Sequence, residues 1–334
     1  MFPVINLRSL DSAKARGERY GMLARAQIVH SIQSYARLFA DCGIDWTEAG
    51  RRAMQYREAI EATDPELLDE IEGIAHGAKL AFSDILALNC RTEILPPNFL
   101  ALQSDRSQQA CAHNQAIGLQ DWGECTALAV SASASTDAHT WLAQNWDWIG
   151  RQREALLILH TCDAKGCAIA TLTEAGMLAK IGLNERGSAV GLNILRSLAD
   201  GSRPGVPVHV LLRHALSFDS LQALRQRLGV LADGIGFGAA SSIPAADASG
   251  DIACFEISPL AWSEFAPTDG VVVHTNHFLC SSLLDQQADM TSSLSTEARL
   301  RCAQGYASQR PIGVATLEAV LRDESDGFLS VCRR

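Results

Sequence analysis

Between residues 125 and 195 the sequence writes three strand-turn-strand patterns in a row, and a chain that does so must contain antiparallel sheet. "CTALAVSA" and "HTWLAQNW" flank the polar Ser135, Thr136 and Asp137; "ALLILHTC" and "CAIATLTE" flank "DAKG"; "MLAKIGLN" and "SAVGLNIL" flank "NERG". Short apolar runs bounded by Asp, Asn and Gly are hairpin signals, and three in succession predict one antiparallel sheet. Asn184 and Gly187 then read as turn residues. Before residue 120 the texture is helical. Leu23, Ile28, Ile32, Tyr35 and Leu38 recur at helical spacing, as do Leu67, Leu68, Ile71 and Ile74 behind "TDPE", where Thr63 or Asp64 would cap and Pro65 would stand in the first turn. "PVHVLLRHALSF" and "DSLQALRQRLGVL" read as helices, "DIACFEIS" and "VVVHTNH" as strands, and "STEARLRCAQGYA" and "TLEAVLRD" as closing helices. The order predicts an α+β fold of stacked sheets covered by helices.

The second constraint is where the first hairpin begins. The polar stretch 102–124 runs straight into Cys125, and about twenty residues later the chain writes "QNWDW". With the turn centred near Thr136, partner positions sum to about 272, which sets Cys125 opposite Asp147 at ~5 Å between Cα atoms; a slip of one or two places would leave them neighbours. A free thiol needs a base or a cation to become a nucleophile. No histidine comes with this pair locally. One source is a distant histidine, His274 or His277. Another is a cut before Cys125, which would make its own α-amine, with a pKa of ~7.7 to 8.0, the base beside the thiol. Read without that context, a cysteine at a strand start is usually a small apolar residue, and Asp147, Asn193 and Asn276 would be strand-end or turn residues.

Composition narrows the partners. The chain has 334 residues, 47% hydrophobic and 20% charged, enough for one large domain or two medium ones. A formal net charge of -10 and the lack of any Lys/Arg run argue against nucleic acid or an anionic membrane surface, leaving a small molecule as the expected partner. No window approaches the ~20 apolar residues of a membrane span, and "MFPVINLRSLDSAKARGERYG" lacks the features of a signal peptide. Ten cysteines without the paired spacing of a zinc site suggest free thiols in a reducing cytoplasm and no metal.

"ECTALAV" followed by "QNWDW" resembles the acyl-coenzyme A:6-aminopenicillanic-acid acyltransferase family of N-terminal-nucleophile hydrolases. The resemblance continues in order through "GLNERGSAVGLN" (182–193), "FEISP" (255–259), "HTNHF" (274–278) and "LRDESDGFLSVCR" (321–333). It implies a four-layer αββα sandwich of two antiparallel sheets. It also implies self-cleavage between Glu124 and Cys125, where the best-known members have glycine before the nucleophile. The pieces would be a mainly helical segment, 1–124, and a catalytic part, 125–334, together forming one structural domain. Longer members continue with further sheet beyond the position of Arg334. The resemblance assigns Cys125 as nucleophile, Asp147 as the group orienting amine and thiol, and Asn276 and Asn193 as oxyanion donors. Thr126, Glu256 and Ser258 become supporting residues. No cofactor is implied, acyl-coenzyme A entering only as a substrate; the substrate class is a small amide or acyl thioester. The loops at 102–124 and 197–206 would shape the cavity, and the expected assembly is a heterodimer of cleavage fragments or a homo-oligomer. The alternatives are an unprocessed cysteine hydrolase using His274 or His277, and a non-catalytic binding protein that keeps the fold.

Overall fold

The computed structural model describes residues 2–97, 124–288 and 293–332. Its strands are β1 (Val4–Asn6), β2 (Glu124–Val130), β3 (Trp141–Asp147), β4 (Leu156–Cys162), β5 (Ala168–Glu174), β6 (Ile181–Asn184), β7 (Ala189–Val190), β8 (Asn193–Ile194), β9 (Ser241–Ala246), β10 (Ile252–Ile257), β11 (Trp262–Phe265) and β12 (Val271–His274). Among the described residues they make two sheets. The larger runs β1-β4-β5-β6-β7-β9-β10-β11 with β8 also on β9, and the smaller runs β12-β2-β3. The fold is therefore α+β. The three consecutive hairpins do not share one sheet, as the sequence pattern predicted: the first belongs to the small sheet, the other two to the large one. The Gly150–Ala155 3-10 turn carries the chain across between them.

Helices supply the remaining core. Ala13–Leu23, Arg25–Asp41, Trp46–Ala53, Arg57–Thr63, Pro65–Ala78 and Phe82–Asn89 precede β2, and Val208–Ala215 and Leu221–Asp233 lie between β8 and β9. Their apolar faces share one core with β4, β5, β9 and β10. Asp64 is the cap predicted at "TDPE", accepting from the Glu66 amide at 3.1 Å. Thr63 instead ends the preceding helix, its hydroxyl donating to Ala59 O at 2.7 Å. Ser293–Ala307 and Val314–Leu321 close the chain, packing on Leu128, Val130, Val271 and Val273 of the small sheet.

The small sheet thus has two different faces. Alternation along β2 turns Leu128 and Val130 toward the closing helices and Ala129 toward Ala246, Ile252 and Cys254 of the large sheet. Cys125 has the parity of Ala129, so it faces the space between the sheets. No helix among the described residues is long and apolar enough to cross a membrane.

Candidate functional site

The β2–β3 register corrects the hairpin arithmetic. Cys125 pairs with Trp146 and Glu124 with Asp147, so partners sum to 271 rather than 272. The Ser131–Thr140 loop is not a symmetric turn about Thr136: it carries a 3-10 turn at Ala132–Ala134 and is tied off by Thr136 N–H donating to Ile312 O at 2.9 Å. A shift of one place exchanges faces. Trp146 shares the inter-sheet face with Cys125, while Asp147 comes from the other face one position along. The two remain close enough for Asp147 to oppose ionisation of the thiol.

The opposite neighbour of β2 delivers Asn276. His274 pairs with Ala127, and extending that register two places beyond β12 brings Asn276 beside Cys125. There the Cys125 backbone N–H donates to Asn276 Oδ1 at 2.6 Å, and the Arg299 guanidinium donates to the same oxygen at 3.1 Å. Two donors facing one atom fix the amide orientation, since the flipped form would set N–H against N–H. Asn276 Nδ2 donates to Ile194 O at 2.9 Å.

Arg299 was missed by sequence reasoning. It is fully buried, and its guanidinium also donates to Cys125 O, to Thr126 Oγ1 at 3.0 Å and to Ser295 Oγ at 3.3 Å. This contact ties Thr126, which the resemblance names as a supporting residue, to Arg299. Asn193 donates from Nδ2 to His274 O at 3.0 Å, and its Oδ1 is buried without a hydrogen-bond partner among the described residues.

Glu256 and His274 form a buried pair at 2.8 Å. Glu256 also accepts from the Leu279 and Cys280 amides at 2.6 and 3.0 Å, pinning the loop that carries Asn276. Burial would raise this carboxyl, but His274 and the amides hold it below the usual carboxylate range. His274 Nδ1 faces Thr275 O at 2.8 Å, so both its ring nitrogens are engaged away from Cys125. His277 is turned to Thr296 Oγ1 at 2.9 Å. His274 is thus not free to act as a base for the thiol, and His277 Nδ1 is engaged as well. Ser258 caps its own turn, accepting from Leu260 and Ala261 amides at 3.2 and 3.1 Å, and so supports the β10–β11 corner rather than the thiol.

The wall facing Cys125 holds a buried charge cluster. Lys180 is paired with Glu174, and its ammonium lies 4.0 Å from the Trp146 ring centroid. Arg91 lies 3.7 Å from Glu174 and 4.5 Å over Trp148. Tyr35 and Gln152 donate to Glu174 at 2.6 and 2.7 Å. A lone lysine in "MLAKIGLN" was the one visible signal. Burial, then Arg91, push the Lys180 ammonium down to about 7, against the pull of Glu174 and Cys125. Burial and Asp147 push the Cys125 thiol up to about 11, against Arg299, Lys180 and the Ile194 amide. A cleft of about 830 Å³ between β3 and β4–β6, lined by Leu142, Gln144, Leu172, Ile181 and others, does not include Cys125. The 102–123 stretch expected to shape the cavity lies outside the described residues. The 197–206 loop is held to Gly238 and Gln286 by backbone hydrogen bonds at 3.0 Å.

The structure thus brings together Cys125 at the start of an inner strand, Asn276 on its amide and the buried Arg299 behind both; of these the sequence resemblance names Cys125 and Asn276, the latter as a donor to an oxyanion. The profile of the acyl-coenzyme A:6-aminopenicillanic acid acyl-transferase family matches residues 134–334, and the chain belongs to that family. It is 32% identical over 267 residues to a protein of Emericella nidulans named the 40 kDa form of acyl-coenzyme A:6-aminopenicillanic-acid-acyltransferase, covering 79% of this chain and 66% of that protein. The chain thus spans just under two thirds of that relative's length. Penicillin V acylase from Agrobacterium tumefaciens overlaps with a TM-score of 0.33 at 14% identity, over 64% of this chain and 71% of the other. So loose a likeness carries no argument.

Proposed function

We propose that the chain is a self-processing cysteine amidohydrolase or acyltransferase built on a four-layer N-terminal-nucleophile sandwich. The observation that carries the reading is the hydrogen bond from the Cys125 backbone nitrogen to Asn276 Oδ1. In the uncut chain that nitrogen is the amide that cleavage would free as an amine, so Asn276 already holds the future base in place.

The thiol attacks the Glu124 carbonyl, the C–N bond breaks with the proton passing to the Cys125 nitrogen, and water opens the resulting thioester. The two products are residues 1–124 and 125–334, folded as one structural domain. The freed Cys125 then takes an acyl group from a small amide or acyl thioester, acyl-coenzyme A among the candidates, and passes it to water or an amine. Asp147 orients the new amine. Each asparagine Nδ2 carries two hydrogens, so Asn276 and Asn193 each keep one for the oxyanion, a contribution of ~3 kcal/mol per donor in such sites. The proposed reaction uses no cofactor, metal or nucleic acid, and its proposed setting is a reducing cytoplasm.

Intact-mass analysis tests the reading. The expected result is conversion of the 334-residue chain to pieces of 124 and 210 residues, with Cys125→Ala remaining whole. A wild-type chain that stays whole on long incubation, indistinguishable from Cys125→Ala, overturns self-processing. An uncut chain with thiol-dependent activity lost in His274 or His277 variants would favour the unprocessed hydrolase, against which the two engaged ring nitrogens of His274 speak.

A further inference from the structure

Before any cut, the Cys125 nitrogen is an amide and cannot serve as base, both ring nitrogens of His274 are engaged, and His277 Nδ1 is turned to Thr296. The thiol must nevertheless ionise in a buried setting. The groups facing it come from three elements: Asp147 at the end of β3, Arg299 on the Ser293–Ala307 helix, and Lys180 just before β6. Arg299 already spends its guanidinium on Cys125 O, Thr126, Asn276 and Ser295. Lys180 differs in place. It stands against Trp146, the direct register partner of Cys125, and so lies on the sulfur's side of the sheet.

We propose that Lys180 is a positioning residue for the nucleophile: its buried ammonium, held against Trp146 by Glu174, is the cation that stabilises the Cys125 thiolate in the uncut chain. This rests on the reading of Cys125 as nucleophile and adds to it the source of the thiolate before an α-amine exists. Lys180 is itself faced by Glu174 on β5, by Arg91 from the short Arg91–Ile94 helix, and by the buried His209 on Val208–Ala215. Counting Arg91 and Lys180 as cations and Glu174 as the anion leaves one surplus positive charge, which a thiolate would offset. Burial and Arg91 depress the lysine, and the charged sulfur favours its protonation, so the two groups titrate as a pair.

Thiolate absorbance near 240 nm is followed against pH in the full-length protein, the Cys125→Ala difference isolating this sulfur, and self-cleavage is followed by intact mass. Lys180→Met alone would strand buried Glu174, so Lys180→Met/Glu174→Gln removes that ion pair together and leaves Arg91 as the cluster's remaining cation, while Lys180→Arg keeps the charge at position 180. Near-ultraviolet circular dichroism confirms that each variant is folded. The expected result is an upward move of the Cys125 step by roughly one unit or more in the double variant, or cleavage slowed by about ten-fold or more, with Lys180→Arg nearer the wild type. A Cys125 step and cleavage rate unchanged in the double variant overturn the proposal. The titration needs no turnover, so it stands even if no cleavage is seen. A Cys125→Ala difference with no thiolate step at any pH up to 12, together with an uncut wild type, instead overturns the nucleophile reading and this proposal with it.

Discussion

Arg299 and Arg301 stand two places apart on one helix and have opposite fates. Arg301 is exposed and paired with Glu297 at 3.6 Å, an exposed pair of small effect. Arg299 is fully buried and holds the acceptors of Cys125, Thr126 and Asn276. Arg299→Met should strand these acceptors and cost roughly 2–4 kcal/mol, with self-cleavage slowed more than folding is weakened. Urea denaturation and intact mass read the two effects; a midpoint and cleavage rate equal to wild type would show that the guanidinium holds nothing. This residue also marks what the sequence could show. Cys125 and Asn276 were legible because each stands in a short motif at a strand end. Arg299 was not, because "STEARLRCAQ" looks like any solvated helix and nothing local separates its two arginines. Lys180 was hidden in the same way, its partner Glu174 lying in the strand before.

At the scale of elements, the Ala13–Leu23 and Pro65–Ala78 helices pack backbone to backbone. A Cβ on Gly73 would come 2.3 Å from Lys14 O, and one on Gly17 would come 2.1 Å from Glu70 O. Gly→Ala inside a helix ordinarily stabilises by ~0.5–1 kcal/mol. Here the clash is with backbone, so Gly73→Ala should instead destabilise by about 1–3 kcal/mol as the helices separate. Chemical denaturation decides the sign, and a gain in stability would mean the helices part freely. The Pro65–Ala78 helix was legible from its periodicity; Ala13–Leu23, whose "AKARGERYGML" has few apolar residues, and the crossing of the two were not. The hairpins were legible too, apart from the one-place register and the division into two sheets. Three strands escaped: the four-residue β11, and two whose omission has a clear physical reason. β1 is three residues whose partner β4 lies some 150 positions away. β9 reads "SSIPAA", weak in β-formers, and its proline would argue against an inner strand. Pro244 is tolerated because β7 pairs at Ala245 and Ala246 and β8 at Ser241 and Ser242, leaving the proline at the gap between them.

Across the whole molecule, the proposed cut would fall just ahead of Cys125, yet the segments on its two sides are interleaved. Val4, Ile5 and Asn6 form a parallel edge on β4, Arg91 sits against Glu174, and Tyr35 donates to that carboxylate. Cutting one bond would therefore leave the shape intact but change the order of the folding reaction. The uncut chain would refold as one molecule; a cut one would have to find its other piece. Unfolding midpoints of the cut protein should then rise with protein concentration, while those of uncut Cys125→Ala stay fixed, and refolding yield after denaturation should fall on dilution only for the former. Matching midpoints at all concentrations would mean that one piece folds without the other. The parallel edge of β1 on β4 would thus make maturation a one-way event, because a protein assembled as one molecule would have to be reassembled as two.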